Sequence, residues 1–133
     1  AEFVRYGVMH RNTFLDAPRV LNADFSVKDA PMLFFAGQIT GVEGYVESAM
    51  SGMLAGIHCL RKLHGKPPIV PSDTCVMGAL SRYVAAENKH FQPMNANYGI
   101  LRGLDVRDKK EKKRLMAERA LGEIDRMRAA LTK

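Results

Sequence analysis

The sequence lacks any long apolar stretch and any charged leader followed by an apolar run. A helix that spans a bilayer needs about 20 consecutive apolar residues, and charged side chains interrupt the apolar runs of this 133-residue chain well before that length. A secretory leader would pair a positive segment with an apolar one. We therefore expect a soluble, cytoplasmic protein that does not contact a membrane.

Cysteine and histidine are scarce, and their spacing matches no metal site. The two cysteines, Cys59 and Cys75, are not arranged as C-x-x-C, and none of the four histidines forms an i, i+4 pair with a carboxylate. Zinc sites and disulfide frameworks need such repeated spacing. We predict neither a disulfide framework nor a metal site.

The chain also lacks the G-x-G-x-x-G turn with which FAD-binding chains normally bind the dinucleotide phosphates. It opens on Ala1, Glu2 and Phe3 rather than on a methionine. Its length corresponds to one domain and is enough for a core. We interpret the sequence as a piece of a longer protein, whose missing N-terminal part is an expected partner.

Residues 32–66 carry the most pronounced local pattern, which is typical of a strand, a glycine turn and a helix. The apolar run Met32–Ala36 is short and has no polar face, as in a strand covered on both sides. Glycines follow at Gly37, Gly41 and Gly44. Because glycine lets a backbone come close to another group, this turn is the first candidate for a binding site.

The helix after the turn is predicted from its start and from its faces. Thr40 and Glu43 have the spacing of a capping box, and the unpaired N–H groups of a first helical turn suit a phosphate or an electron-rich ring. Ser48, Gly52 and Gly56, four residues apart, leave one face almost without side chains, which predicts close packing against a neighbour. The alternative is that all these glycines only form a tight turn and pack on a sheet.

The secondary structure of the flanking segments is predicted from their glycine and proline residues and from the spacing of their apolar residues. Residues 1–31 alternate and then break, which favours a small β-rich segment. Residues 67–104 follow a glycine and two prolines, and they predict a second helix and then a polar loop, Phe91–Gly99. Residues 105–133 predict a basic C-terminal helix whose apolar face carries Met116, Ala120, Leu121, Ile124, Met127 and Leu131.

The positive charge is concentrated in the last helix. From Arg102 onward there are eleven Lys and Arg against six Asp and Glu, so five of the six net positive charges belong to this part. A run of one sign is most often a solvated helix face. The competing interpretation is contact with RNA phosphates, and its candidate residues are Lys109, Lys110, Lys112, Lys113 and Arg114.

Three separated motifs give the chain a resemblance to a known family. They read AEFVRYGVMHRNTF at residues 1–14, LFFAGQITGVEGYVESAMSGMLAG at residues 33–56 and FQPMNANYGIL at residues 91–101. In this order they resemble the C-terminal part of the folate- and FAD-dependent tRNA uracil-5-methyltransferases, flavoproteins related to glucose-inhibited division protein A. The resemblance fades beyond Leu101.

The resemblance implies an α/β fold, namely the C-terminal part of an FAD-binding, Rossmann-like flavoprotein with a strand-turn-helix core. It implies methylation of C5 of a uridine in tRNA, with FAD as cofactor and with methylenetetrahydrofolate and NADPH or NADH as co-substrates. The catalytic cysteines of such enzymes lie upstream, so no catalytic residue is assigned here and the chain alone is expected to be inactive.

The resemblance also suggests where the flavin lies. The expected cofactor-binding residues form the turn and the helix start: Gly37, Gln38, Ile39, Thr40, Gly41, Val42, Glu43, Gly44 and Tyr45. His10, Arg11 and Asn12 are candidates for lining the flavin or substrate pocket. Two other functions stay open, a basic RNA-binding module without chemistry and a part of a general FAD-dependent oxidoreductase.

Overall fold

The computed structural model of the chain describes residues 13–132, and this part of the backbone is mostly helical. Pairing of the β type within residues 13–132 is limited to three isolated bridges. No helix in this range is both long enough and apolar enough to span a membrane. The helices are α1 (Ala17–Val20), α2 (Tyr45–Leu63), α3 (Val76–Ala85) and α4 (Lys109–Leu131), with single 3-10 turns at Gln38–Thr40 and Tyr98–Ile100.

The strand predicted over Met32–Ala36 is not formed, and the small β region predicted before it is not confirmed in residues 13–31, which contribute only isolated bridges. Phe34 makes one antiparallel bridge with Ser26. The side chains of Met32 and Leu33 are 57% and 50% exposed, whereas a strand of this type needs a layer on both faces. Phe34, Phe35 and Ala36 pack partly buried against the core, but Met32 and Leu33 are left open, so the α/β strand-turn-helix architecture is not confirmed in the described residues.

Helix α2 begins later than the capping-box pattern predicts. The hydroxyl of Thr40 donates to the carbonyl of Gly37 at 2.7 Å, so it stabilises the 3-10 turn instead of capping the helix. Gly44, which has no side chain, takes the N-cap position of α2. The capping prediction was wrong because the hydroxyl of Thr40 bonds to the carbonyl three residues before it and does not accept an N–H from α2.

The end of α2 agrees with the glycine and proline pattern that follows it. Gly65 has a φ of +66°. Its N–H donates to the carbonyl of Lys62 at 3.0 Å, and the N–H of Lys66 donates to the carbonyl of Arg61 at 2.8 Å. This pair of bonds is a Schellman motif. Helix α2 therefore stops where its last carbonyl groups are satisfied by the turn itself.

The core lies where α1, α2 and α3 meet the loops between them. Gly78 lets α3 approach the preceding loop, because a Cβ at this position would overlap the carbonyl oxygens of Pro71 and Ser72. The ring of His58 on α2 is buried and lies 3.1 Å from the carbonyl oxygens of Asp24 and Ile69. The buried apolar cluster consists of Ala17, Leu21, Phe25, Val42, Leu54, Ala55, Leu80, Val84, Phe91 and Met127.

The part of the small-residue face of α2 around Gly52 and Gly56 has no neighbour within the described part of the chain. Gly52 and Gly56 are exposed, and a Cβ built at either position would meet nothing within 4 Å. Met53 and Leu60, on the same helix, are 53% and 56% exposed. The close packing predicted for this face is therefore not made by residues 13–132.

Helix α4 begins with a side-chain cap and is held to the rest of the fold by a carboxylate. Asp108 accepts the N–H of Glu111 at 2.8 Å. Glu123 accepts the N–H of Ser72, far away in sequence, at 2.7 Å, and pairs with Arg126. Of the predicted apolar face, Met116 and Met127 are buried. Leu121 is 66% exposed, so the apolar stripe is narrower than its periodicity indicates.

The carboxylate of Glu123 makes stability depend on pH. The bond from the Ser72 N–H, with help from Arg126, holds the pKa of Glu123 below its ordinary value of 4.5. A lowered folded-state pKa adds stability above pH 4.5 that is lost as the pH falls through the folded-state pKa. Glu123→Gln should lower the free energy of unfolding by about 1 kcal/mol at neutral pH, since a charged acceptor is replaced by a neutral one.

The measurement is chemical unfolding at several pH values, with Glu118→Gln as the control on the same helix. Glu118 is 56% exposed and pairs with Arg114, and an exposed ion pair contributes little. The deficit of Glu123→Gln should shrink as the pH falls below 4.5, while the control stays near the parent protein throughout. A deficit that does not change with pH would contradict the assignment.

Candidate functional site

The glycine turn before α2 has a backbone that other residues adopt only under strain. Gly37 has φ of 76° and ψ of −157°, a region that is nearly restricted to glycine. Gly41 and Gly44 have φ values of 83° and 96°, where a side chain is also disfavoured. The predicted glycine turn is therefore present, and its conformation accounts for glycine at all three positions.

The turn is fixed to α2 by a serine that the sequence did not single out. The N–H of Gly37 donates to the Oγ of Ser51 at 2.7 Å, and this hydroxyl donates to the carbonyl of Ser48 at 2.8 Å. Ser51 is fully buried. Nothing in the local sequence indicates this contact, because it joins residues fourteen positions apart.

The loop Phe91–Gly99 packs beside the glycine turn and pairs with it. The N–H of Met94 donates to the carbonyl of Gly41 at 2.8 Å, and the N–H of Glu43 donates to the carbonyl of Met94 at 3.0 Å. The N–H of Ala96 donates to the carboxylate of Glu47 at 3.1 Å. Two of the three sequence motifs are thus brought together at one place.

A small cavity lies at the start of α2. Its volume is about 220 Å³, and it is lined by Gln38, Gly44, Tyr45 and Ser48. The first N–H groups of a helix have no intrahelical acceptor, and Gly44 offers no side chain to cap them. Glu47 in the same turn is negative, so any attraction for an electron-rich group here comes from these N–H groups rather than from net charge.

The nine predicted cofactor-binding residues divide by burial. Gln38, Ile39, Gly44 and Tyr45 are exposed, and Tyr45 is 98% exposed. Thr40, Gly41 and Val42 are buried, and Gly37 and Glu43 are half-buried. The buried members shape the turn, and the exposed members are open to solvent.

The predicted basic residues of α4 do not form one uniform patch. Arg114 pairs with Glu111 at 2.6 Å and also with Glu118, and this hydrogen bonding lowers the pKa of the Glu111 carboxyl. Lys110 is exposed. Lys109, Lys112 and Lys113 instead line a cavity of about 400 Å³ together with Tyr98, Gly99, Gly103 and Met116.

The remaining candidates carry no site in the described residues. His10, Arg11 and Asn12 lie outside the described range, as does most of the first motif. Burial raises the pKa of the Cys75 thiol, which disfavours the reactive thiolate, and Cys59 is half-buried. Residues 13–132 contain no group of three or more His, Cys, Asp or Glu that could hold a metal ion, and the absence of a metal stays a prediction.

Comparison with known proteins identifies the family of the chain. The family model described as glucose inhibited division protein A matches residues 1–67, a range that contains the glycine turn and the whole of α2. The chain belongs to this family, as its motifs predicted.

Individual relatives are similar over nearly the whole chain. A methylenetetrahydrofolate–tRNA-(uracil-5-)-methyltransferase TrmFO of Streptococcus suis is 54% identical over 129 residues, which cover 94% of this chain and 29% of the relative. A protein of the same name from Pelotomaculum thermopropionicum is 53% identical over 134 residues, covering 98% of this chain and 31% of the relative. The chain therefore spans less than a third of the length of these curated relatives.

Proposed function

We propose that the chain is part of a flavoprotein that methylates C5 of a uridine in tRNA. Methylenetetrahydrofolate is the one-carbon donor, FAD the cofactor and NADPH or NADH the source of reducing equivalents, and the enzyme works in the cytoplasm. The observation that carries this proposal is the identity of 54%, over 94% of the chain, to a relative named for this activity. Neither alternative function accounts for a similarity of this extent.

The turn supports a flavin at this position. FAD, when bound, supplies the reducing equivalent that completes the methyl group. Glycine at positions 37 and 44 lets the backbone approach a flat ring, and the free N–H groups at the start of α2 favour the electron-rich edge of such a ring. We assign the contact to Gly37–Tyr45, with Gln38, Gly44 and Tyr45 nearest the ligand.

The rest of the polypeptide is the expected neighbour of the exposed apolar surface. Tyr45, Val46 and Leu63 are 98%, 80% and 64% exposed on α2 alone, and Gly52 and Gly56 leave room for a close neighbour. Relatives are more than three times as long as the aligned region. We therefore assign the open faces of α2 and of Met32–Ala36 to contacts with the part of the protein outside this sequence.

The direct test of the activity uses the complete polypeptide with an unmodified tRNA transcript, methylenetetrahydrofolate carrying a labelled methylene, and NADPH. We expect label in 5-methyluridine, measured by mass spectrometry of the digested RNA. Omitting the folate should abolish the label. Turnover of NADPH without labelled RNA, together with a tightly bound flavin, would favour a general oxidoreductase instead.

The flavin contact predicts that a side chain at Gly44 lowers flavin occupancy. A Cβ at Gly44 would overlap the carboxylate of Glu47, so Gly44→Ala forces this side chain to move within the first turn of α2, where we place the flavin. Gly65→Ala is the control: Gly65 also has a positive φ but open space around it, so it carries positive-φ strain of about 1–2 kcal/mol at the far end of α2 and displaces no side chain. Flavin absorbance per protein should fall for Gly44→Ala and stay unchanged for Gly65→Ala. Equal occupancy in both variants would rule out contact at this turn.

If the complete polypeptide covers the small-residue face of α2, substitutions at two glycines that are exposed in this structure should change its stability in opposite directions. Gly56→Leu in the complete polypeptide should overpack the contact and destabilise the protein by about 1–3 kcal/mol. Gly122→Leu on α4, where the surroundings are equally open, should gain up to about 1 kcal/mol of helix propensity. Thermal unfolding distinguishes the two cases. A higher Tm for Gly56→Leu would mean that this face is free in the whole protein.

A further inference from the structure

A second cavity, separate from the glycine turn, combines an aromatic ring with several cations. It lies between the start of α4 and the 3-10 turn Tyr98–Ile100, and its volume is about 400 Å³. Tyr98, Lys109, Lys112 and Lys113 line it, and Met116 contributes an apolar wall. The loop motif and the basic run, which the sequence presents as unrelated features, therefore meet at one place.

The three lysines come together because of helix geometry. Positions 109, 112, 113 and 116 follow the spacing i, i+3, i+4 and i+7, which places them on one side of a helix. Lysine stems can lie along an apolar surface while the charged ends stay in water. Among residues 13–132, none of the three makes an ion pair within 4.0 Å, so their charge is available to an anion.

Tyr98 is held outward by its own turn. Asn97, at the N-cap, accepts the N–H of Gly99 at 2.8 Å, which fixes the short helix that carries the ring. The side chain is 58% exposed, and the Nζ of Lys113 lies 5.8 Å from the ring centroid. An exposed aromatic ring among unpaired cations suits a ligand that has both a flat face and negative charge.

We propose that this cavity is an RNA-contact site, in which a nucleobase packs on Tyr98 and neighbouring phosphates lie on Lys109, Lys112 and Lys113. The inference rests on the proposed function, which makes RNA the substrate. Single-stranded RNA offers flat bases and regularly spaced phosphates together, whereas an acidic peptide offers charge without a need for the ring.

The place of the cavity in the fold supports this assignment. Ala96 donates its N–H to Glu47 in the first turn of α2, and Tyr98 follows two residues later, at most about 7 Å along an extended backbone. The loop therefore joins the cavity to the glycine turn. An RNA strand bound at Tyr98 reaches the neighbourhood of the proposed flavin site without a long connection.

The test measures binding of a fluorescently labelled, unmodified tRNA transcript to the complete polypeptide at several salt concentrations. Tyr98→Ala should weaken binding by about 5- to 160-fold, the range that corresponds to one base–aromatic stack, and leave the salt slope unchanged. Tyr98→Phe keeps the ring and should bind like the parent protein. Changing Lys109, Lys112 and Lys113 together to Gln should reduce the log–log salt slope by about 2–3.

The control is Leu121→Ala, which removes a side chain of similar exposure, 66%, from α4 at a position outside the cavity, and it should change neither quantity. Tyr98→Ala binding as tightly as the parent protein would overturn the base contact. A poly-glutamate peptide that binds the parent protein more tightly than tRNA does at the same salt concentration would overturn it in favour of an acidic protein partner.

The flavin content and the labelling of tRNA separate this inference from the proposed function. If the parent protein methylates tRNA and Tyr98→Ala binds tRNA normally, only the cavity assignment fails. If the parent protein neither binds nor labels tRNA, the proposed function fails together with this inference. Unchanged flavin absorbance in Tyr98→Ala is expected, because the ring lies outside the glycine turn.

Discussion

The backbone pairing of Gly41 with Met94 is the contact on which the site depends. It joins the turn before α2 to a loop that comes much later in the chain. The ring of Phe91 occupies the space that a Cβ at Gly41 would need, and this ring also packs against Phe14 and Tyr83. Glycine at this position is therefore required by packing inside the protein, whatever ligand lies on the other side of the turn.

The features that could be predicted from the sequence are those set by neighbours along the chain. The presence of the glycine turn, the body of α2 and its Schellman end at Gly65 depend on residues only a few positions apart, and the pattern indicated all three. The start of α2 was misplaced because Thr40 had two possible partners, and only the folded turn selects the carbonyl of Gly37. The contact of Ser51 with Gly37 had no sequence signal.

Burial is the property that the pattern predicted least well. An apolar run indicates that a segment prefers to be buried, whereas the residues that bury it come from elsewhere in the fold. Met32–Ala36 has the composition of a buried strand, yet the described residues cover it poorly. In a chain that spans less than a third of its relatives, such open apolar surface is the expected result of neighbours that this sequence does not contain.

The number of basic residues at the start of α4 is larger than the number of cations that are left free for a ligand. Five cations occur between Lys109 and Arg114, but Arg114 is neutralised by Glu111 and Glu118 on the same helix. Lys110 projects about 100° away from Lys109, since each residue turns the helix by that amount. Lys109, Lys112 and Lys113 remain on the side that lines the cavity with Tyr98, and the Nζ of Lys113 lies 5.8 Å from the ring centroid. The field that a polyanion meets is thus set by helical register and by pairing within the helix, and three of the lysines lie beside Tyr98.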